Sequence, residues 1–306
     1  MVRTPANTLI RASHAFRKRN AFAFRAVMLF FLVVALGCGQ VSHRGEDSIA
    51  ARELCRLGLA AMDGHRWQEA KTRFAHALKA SPEDPEARRH LAQVLWKQGD
   101  TYAAIVQLHG AIELIGSQPQ WTVELGEMFL ATNDLDRARQ CADLATELAP
   151  QLATAWVLRG HVLRRQGDFD EALGNFHLAR SHGADDDHIA LAVADIYARQ
   201  NRPARVLASL PTAVIEPELQ ADVAIRRGQA LLAMGRHDDA VTTLSLARAT
   251  QPQNQQLLLA LAEAQLVAGD LSAARHTVVE SQPDNSQRRL ELVTRIDEAQ
   301  SGVMIR

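Results

Sequence analysis

Residues 153–186 read ATAWVLRGHVLRRQGDFDEALGNFHLARSHGADD, with Gly160, Ala172 and Ala179 at the eighth, twentieth and twenty-seventh places. Counted from Ala51, these three places return every 34 residues, seven times without loss of phase. The eighth place holds Gly58, Ala92, Gly126, Gly160, Ala194, Gly228 and Ala262. The twentieth holds Ala70, Ala104, Ala138, Ala172, Val206, Ala240 and Ala274. The twenty-seventh holds Ala77, Ala111, Ala145, Ala179, Ala213, Ala247 and Ser281. Small side chains at these offsets let two short helices cross closely, because nothing bulky holds their backbones apart. A row of such pairs presents a surface and not an enclosed pocket, so the period favours binding over chemistry.

The spacing resembles the tetratricopeptide repeat, whose 34-residue pattern is an aromatic, Leu-Gly, an aromatic, Ala, Phe, Ala and Pro. The unit at Ala153 carries Trp156, Gly160, Leu163, Ala172, Phe176 and Ala179 in the signature columns. The unit at Ala51 supplies Leu57, Gly58, Ala70, Phe74, Ala77 and Pro82; that at Pro119 supplies Leu125, Gly126, Phe129, Ala138, Ala145 and Pro150. The unit at Ala221 adds Gly228, Leu231, Ala240, Leu244, Ala247 and Pro252. The resemblance implies an all-α solenoid of about seven helix–turn–helix repeats, over residues 51–84, 85–118, 119–152, 153–186, 187–220, 221–254 and 255–288. Residues 289–306 are expected to form a C-terminal capping helix and tail, with Leu290, Val293 and Ile296 on its apolar face.

The formal net charge of −1 conceals an asymmetry. Residues 1–37 hold six Lys or Arg and no acid, so the rest carries 28 basic against 35 acidic residues. Such a remainder offers no electrostatic footprint for nucleic acid. The basic stretch (Arg3, Arg11, Arg17, Lys18, Arg19, Arg25) precedes AVMLFFLVVALG at 26–37, too short to span a bilayer but suited to a signal-peptide core. Val34-Ala35-Leu36-Gly37-Cys38 resembles a bacterial lipoprotein processing site, with Ala35 where that family more often has Leu. The resemblance implies lipidation and acylation at Cys38, after removal of a signal peptide at 1–37, with 38–50 as a tether. Gly39, in place of the Asp that retains enteric lipoproteins at the inner membrane, favours the outer membrane and a periplasm-facing array in a bacterial envelope. An uncleaved signal anchor is the alternative. Cys55 and Cys141 lie in the first and third repeats, too far apart in a stacked array for an intramolecular disulfide.

Gly99-Asp100, Asn133-Asp134, Gly167-Asp168 and Gly269-Asp270 occupy one turn in four units. Gly or Asn there ends the first helix in the left-handed conformation, and Asp caps the second. Asp168 with Glu171 reads as a capping box, and Pro85 suits a first helical position. Pro211 falls where the second helix of the fifth unit should still run, so this helix is expected to stop near Leu210 and to give way to a longer connection from Pro211 to Pro217.

In the family the first helices line a concave groove, chiefly through their second, fifth, ninth and twelfth places. That implies a partner-binding wall of Arg89, Gln93, Trp96, Glu127, His161, Arg164, Asp195 and Gln229, with Leu130, His188 and Asp222 at equivalent places. A protein or peptide segment could lie along it, its acidic groups paired by Arg89 and Arg164 and an apolar one by Trp96. The family's carboxylate clamp is missing, since Cys55 and Leu59 stand at the fifth and ninth places of the first unit. The alternative is a metal-binding or enzymatic helical-repeat protein using His182, Asp185–Asp187 and His188. That run lacks a fixed ligand spacing, and acids before a helix are ordinary capping residues. No nucleophile elbow, Walker loop or dinucleotide fingerprint is present. The expectation is a lipid-anchored binding protein, with no catalytic residue, no cofactor and no bound metal.

Overall fold

The computed structural model describes residues 49–184, 186–214, 216–281 and 287–301, and their regular elements are helices. In order these are α1 (49–63), α2 (Trp67–Ala80), α3 (Pro85–Lys97), α4 (Thr101–Ile115), α5 (Pro119–Ala131), α6 (Leu135–Leu148), α7 (Ala153–Gln166) and α8 (Phe169–Ser181). Then follow α9 (Asp187–Arg199), α10 (Pro203–Ser209), α11 (Gln220–Ala233), α12 (His237–Thr250), α13 (Gln255–Val267), α14 (Leu271–Glu280) and α15 (Gln287–Ser301), with a 3-10 turn at Pro217–Leu219 before α11. The helices gather into two compact units, one ending at Gly116 and the other beginning at Ser117. From α3 onward each odd-numbered helix to α13 packs on the even-numbered helix after it.

The twentieth-place residues are buried in all seven repeats, Val206 included. The eighth place explains how closely the helices meet. A Cβ on Gly58 would lie 2.7 Å from the Phe74 ring, on Gly160 2.8 Å from Phe176, and on Gly228 2.7 Å from Leu244. Those partners share the twenty-fourth place. Where the eighth place is Ala92, Ala194 or Ala262, the twenty-fourth is Leu108, Leu210 or Val278 and never Phe, although Gly228 too is met by a leucine. In the third repeat that place is Ala142, and a Cβ on Gly126 would instead meet Leu158 of α7 at 2.5 Å and Cys141 at 2.9 Å. One volume is thus shared between the two helices, close-packed as interiors must be.

The turn between the helices follows the expected chemistry with one correction. Asn133 (φ 62°) and Gly167 (φ 95°) sit in the left-handed region. Asp100, Asp134 and Asp270 accept from the backbone N–H of Ala103, Arg137 and Ala273. Asp168 makes no side-chain cap, so the capping box with Glu171 is not formed. Its carboxylate lies 3.8 Å from Arg139 Nη1, a partner in the preceding repeat. His65 (φ 55°) and Asn201 (φ 54°) take the same left-handed turn without glycine. Pro85 opens α3, behind an Asp84 side chain that accepts from Ala87 N–H at 3.1 Å.

In the fifth repeat α10 has only seven residues and ends at Ser209. Leu210 turns extended (ψ 139°), as the residue before a proline is pressed to do. The connection is tied down by Arg227, whose guanidinium donates to the Pro211 carbonyl, and by Glu216 N–H, which donates to Asp187 at 3.1 Å. The last helix differs from expectation in its buried face. Leu292 and Ile296 are buried against Leu259, Ala262 and Val278, and Val293 packs beside them. Leu290 is 53% exposed, because two residues correspond to about 200° of helix and carry it away from Leu292. Cys55 and Cys141 are free and half-buried, their thiols pushed up to about 11 chiefly by desolvation.

The shared volume yields a test. Gly160→Ala gains about 1 kcal/mol of helix propensity but overpacks the Phe176 ring, a strain of about 1–3 kcal/mol. The variant should unfold at lower urea than the wild type, and Phe176→Leu should rescue it by a coupling of about 1 kcal/mol or more in a double-mutant cycle. Strict additivity of the two changes would show that the pair does not share space.

Candidate functional site

Within the second unit one hollow is lined from four first helices: α7 through its ninth and twelfth places, α9 and α11 chiefly through their second, fifth, sixth and ninth, and α13 through its second. It encloses about 690 Å³ and is lined by His161, Arg164, His188, Leu191, Ala192, Asp195, Arg199, Asp222, Ile225, Arg226, Gln229, Gln256 and Arg288. The space opens where α9 packs less closely on α7 and α8 than α13 does on α11 and α12. Four residues of the expected wall therefore meet at one site: His161, Arg164, Asp195 and Gln229. Glu127, on α5, is not part of that lining. It is exposed, yet its carboxyl is pushed up by desolvation and then by repulsion from Glu124. Arg89, Gln93 and Trp96 belong to the first unit, half-buried along α3. There Arg89 lies 3.9 Å from Glu86, and Gln93 Oε1 lies 3.1 Å from His90 Nδ1.

The centre of the hollow is one carboxylate shared by three guanidinium groups. Arg164 Nη1 donates to Asp195 Oδ2 at 2.9 Å, Arg199 Nε to the same oxygen at 3.3 Å, and Arg226 Nη2 to Oδ1 at 2.8 Å. Arg164 and Arg226 each stand 31 positions from Asp195, one repeat along and one helical turn back. The Asp195 side chain is 12% exposed, against 25% for Arg164 and 38% for Arg226. Little water reaches Asp195 and Arg164, so their attraction is stronger than between surface groups, whereas Arg199, 61% exposed, stands at the rim. One negative charge cannot neutralise three positive ones, and the cluster keeps a local excess of two. Asp222 on the lining opposes part of it, while Arg288 is already met by Glu263 at 3.2 Å. Arg164 Nε is buried without a hydrogen-bond partner among the described residues.

His161 meets the Phe176 ring edge-on at 5.1 Å. Burial, then the Arg164 charge, lower its pKa to about 4 against a smaller opposing pull from Asp186. It is a neutral wall of the hollow at neutral pH. Sequence reasoning missed Arg199 and Arg226, since neither stands at a family groove place. Their signal was the 31-residue spacing and the i, i+4 spacing to Asp195, which place complementary charges in reach.

The His and Asp run is employed otherwise than as a ligand set. Asp186 caps α9 by accepting from Ile189 N–H at 2.7 Å, Asp187 holds Glu216 N–H, and His188 Nε2 lies 3.2 Å from Glu216. His182 follows α8 as its C-cap residue. Asp185 lies outside the described residues, as do Cys38 and the whole expected signal and tether up to residue 48. Among the described residues no group of three or more His, Cys, Asp or Glu side chains is placed to hold a metal ion, and no helix is long and apolar enough to cross a membrane.

Two sequence models of the tetratricopeptide repeat match this chain, one over residues 55–109 and 157–205, the other over 231–296. Protein bimA of Emericella nidulans is 25% identical over 120 residues, 39% of this chain, which spans only 15% of that protein's length. Among solved structures, a tetratricopeptide repeat protein from Parabacteroides merdae superposes with a TM-score of 0.61 at 13% identity, over 81% of this chain and 99% of its own. Pseudomonas aeruginosa pilF superposes at 0.57 with 15% identity, over 69% of this chain and 96% of its own. At these identities the likeness is one of fold.

The lowered His161 pKa sets a pH dependence. An unfolded imidazole titrates near 6.5 and the folded one at about 4, so the unfolded chain binds more protons between those values. Stability contributed by His161 is therefore complete above about pH 6.5 and declines as pH falls toward 4, by at most about 3 kcal/mol. Urea midpoints at pH 7 and pH 4.5 should fall further for the wild type than for His161→Phe, while Glu127 affects both alike. Equal declines would mean that His161 is not desolvated.

Proposed function

The chain belongs to the tetratricopeptide-repeat family, and we propose that it is a lipid-anchored protein–protein interaction scaffold or assembly factor of a bacterial cell envelope. It holds a segment of a partner protein in the hollow formed by its first helices, and carries out no chemistry of its own. The observation that carries this reading is the convergence of His161, Arg164, Asp195 and Gln229, from three successive first helices, on one 690 Å³ space. Repeats stacked in register repeat a position across neighbouring helices, which suits recognition of an extended segment better than activation of one bond.

Anchoring rests on the basic stretch, the apolar run and the Val34–Cys38 pattern. Lipidated at Cys38, the chain faces the periplasm, with the outer membrane favoured by Gly39. The lipid holds the first repeat near the membrane surface and leaves the later repeats to meet a partner. Tetratricopeptide repeats suit such a role because their binding surface grows with the number of units and needs no cofactor.

Both parts are testable in cells. Cys38→Ser should lose acyl labelling and accumulate as the unprocessed precursor; normal processing and unchanged membrane partitioning would refute the anchor. A photocrosslinker at Gln229 should trap a protein partner, whereas one at Leu246, 68% exposed on the second helix of the same repeat, should not. Trapping from Leu246 alone would move binding out of the hollow.

A further inference from the structure

The geometry points to an acidic peptide segment as the occupant of the second-unit hollow, its carboxylates bound by Arg164, Arg199 and Arg226, with Asp195 as a built-in competitor. This rests on the reading of the hollow as a partner site and adds the chemistry of the partner. Each guanidinium reaches Asp195 through a single nitrogen. A guanidinium carries five N–H donors in a planar fork suited to a second carboxylate, so much of each fork remains for a ligand.

The shape favours a peptide over other anions. Arg164 and Arg226 stand on α7 and α11 with α9 between them, and both are recessed. Both guanidiniums reach the same carboxylate, at 2.9 and 2.8 Å, so their donors lie within about 8 Å of each other, and an extended stretch of two or three residues with alternate carboxylates can address both arginines. A flat membrane presents headgroups to a surface and not to the inside of a hollow. A nucleic-acid duplex is too wide for it, and the chain beyond residue 37 has more acids than bases. Leu191 and Ile225 on the same lining offer apolar contact between carboxylates.

The test measures fluorescence anisotropy of a labelled peptide of alternating Asp and Leu with the full chain, beside its Asn–Leu counterpart. The Asp peptide should bind about tenfold or more tightly than the Asn peptide and weaken steeply with salt. Arg226→Gln should weaken it severalfold, and Asp195→Asn should tighten it, because the internal carboxylate no longer competes. A purely structural role for Asp195 would not raise affinity. Should Asp195→Asn fail to fold, Arg199→Gln, at the exposed rim, replaces it and should weaken binding. Equal binding of the two peptides, or affinity untouched by Arg226→Gln, overturns the proposal and leaves the partner site standing. Absence of peptide binding overturns it as well; if the Gln229 crosslink is also absent, the partner site fails with it. Arginine-dependent binding of phosphatidylglycerol vesicles without binding of the peptide would assign the cluster to lipid and refute the peptide.

Discussion

Every repeat depends on the approach of its two helices, set by what is missing at the eighth place and what is present at the twenty-fourth. Gly160 has no side chain where the Phe176 ring lies, and Gly228 none where Leu244 lies. Because interiors pack densely, volume taken from one helix must be returned by the other. Where the twenty-fourth place is Phe, the eighth is Gly, so the largest side chain of one helix sits where the other has none. The third repeat meets the same constraint differently, by taking Leu158 from the following repeat into the space beside Gly126. There the helix pair and the next unit are packed as one.

The 34-residue period has an electrostatic consequence. Residues one repeat along and one turn back are brought within reach, so a charge pattern with a 31-residue period becomes a row of contacts across first helices. Arg164, Asp195 and Arg226 follow it across α7, α9 and α11. Elsewhere related offsets join second helices and turns: Arg248 with Glu280, and Gln200 with Asp170. Most such links lie at the surface, where an ion pair contributes about 0–1 kcal/mol. Those at Asp195 lie deeper, where the missing negative charges matter more than the contacts made.

Much of this was legible in the sequence because the repeat converts position into place. The eighth and twentieth columns, the left-handed turns and the stop before Pro211 all follow from residue type at a fixed offset. What escaped depends on choices between competing partners. Asp168 has the pattern of a cap, yet Arg139 in the preceding repeat lies near its carboxylate. Leu290 continues an apolar period, yet the face of α15 that meets Leu259 and Val278 is set by Leu292. Arg199 and Arg226 lie off the family's groove places and become visible only when charge complementarity is followed between repeats. His65 and Asn201 show that the turn, and not glycine, was the invariant of the pattern.

The irregular fifth repeat and the hollow meet at α9. Pro211 shortens α10, and the chain must then cross from Leu210 to α11 without the second half of a helix to pack it. Backbone groups in such a connection still need partners. Asp187 supplies one for Glu216 N–H and His188 lies against the Glu216 carboxylate, so the acidic start of α9 is committed to holding the connection. The same α9 sits less closely on α7 and α8, and the Arg164–Asp195 contact bridges the space left there. A polar bridge can span a gap that apolar side chains would have to fill. The arginine cluster thus stands where the repeat departs from its own rule, with Arg164, Asp195 and Arg226 at a spacing that the rule still aligns.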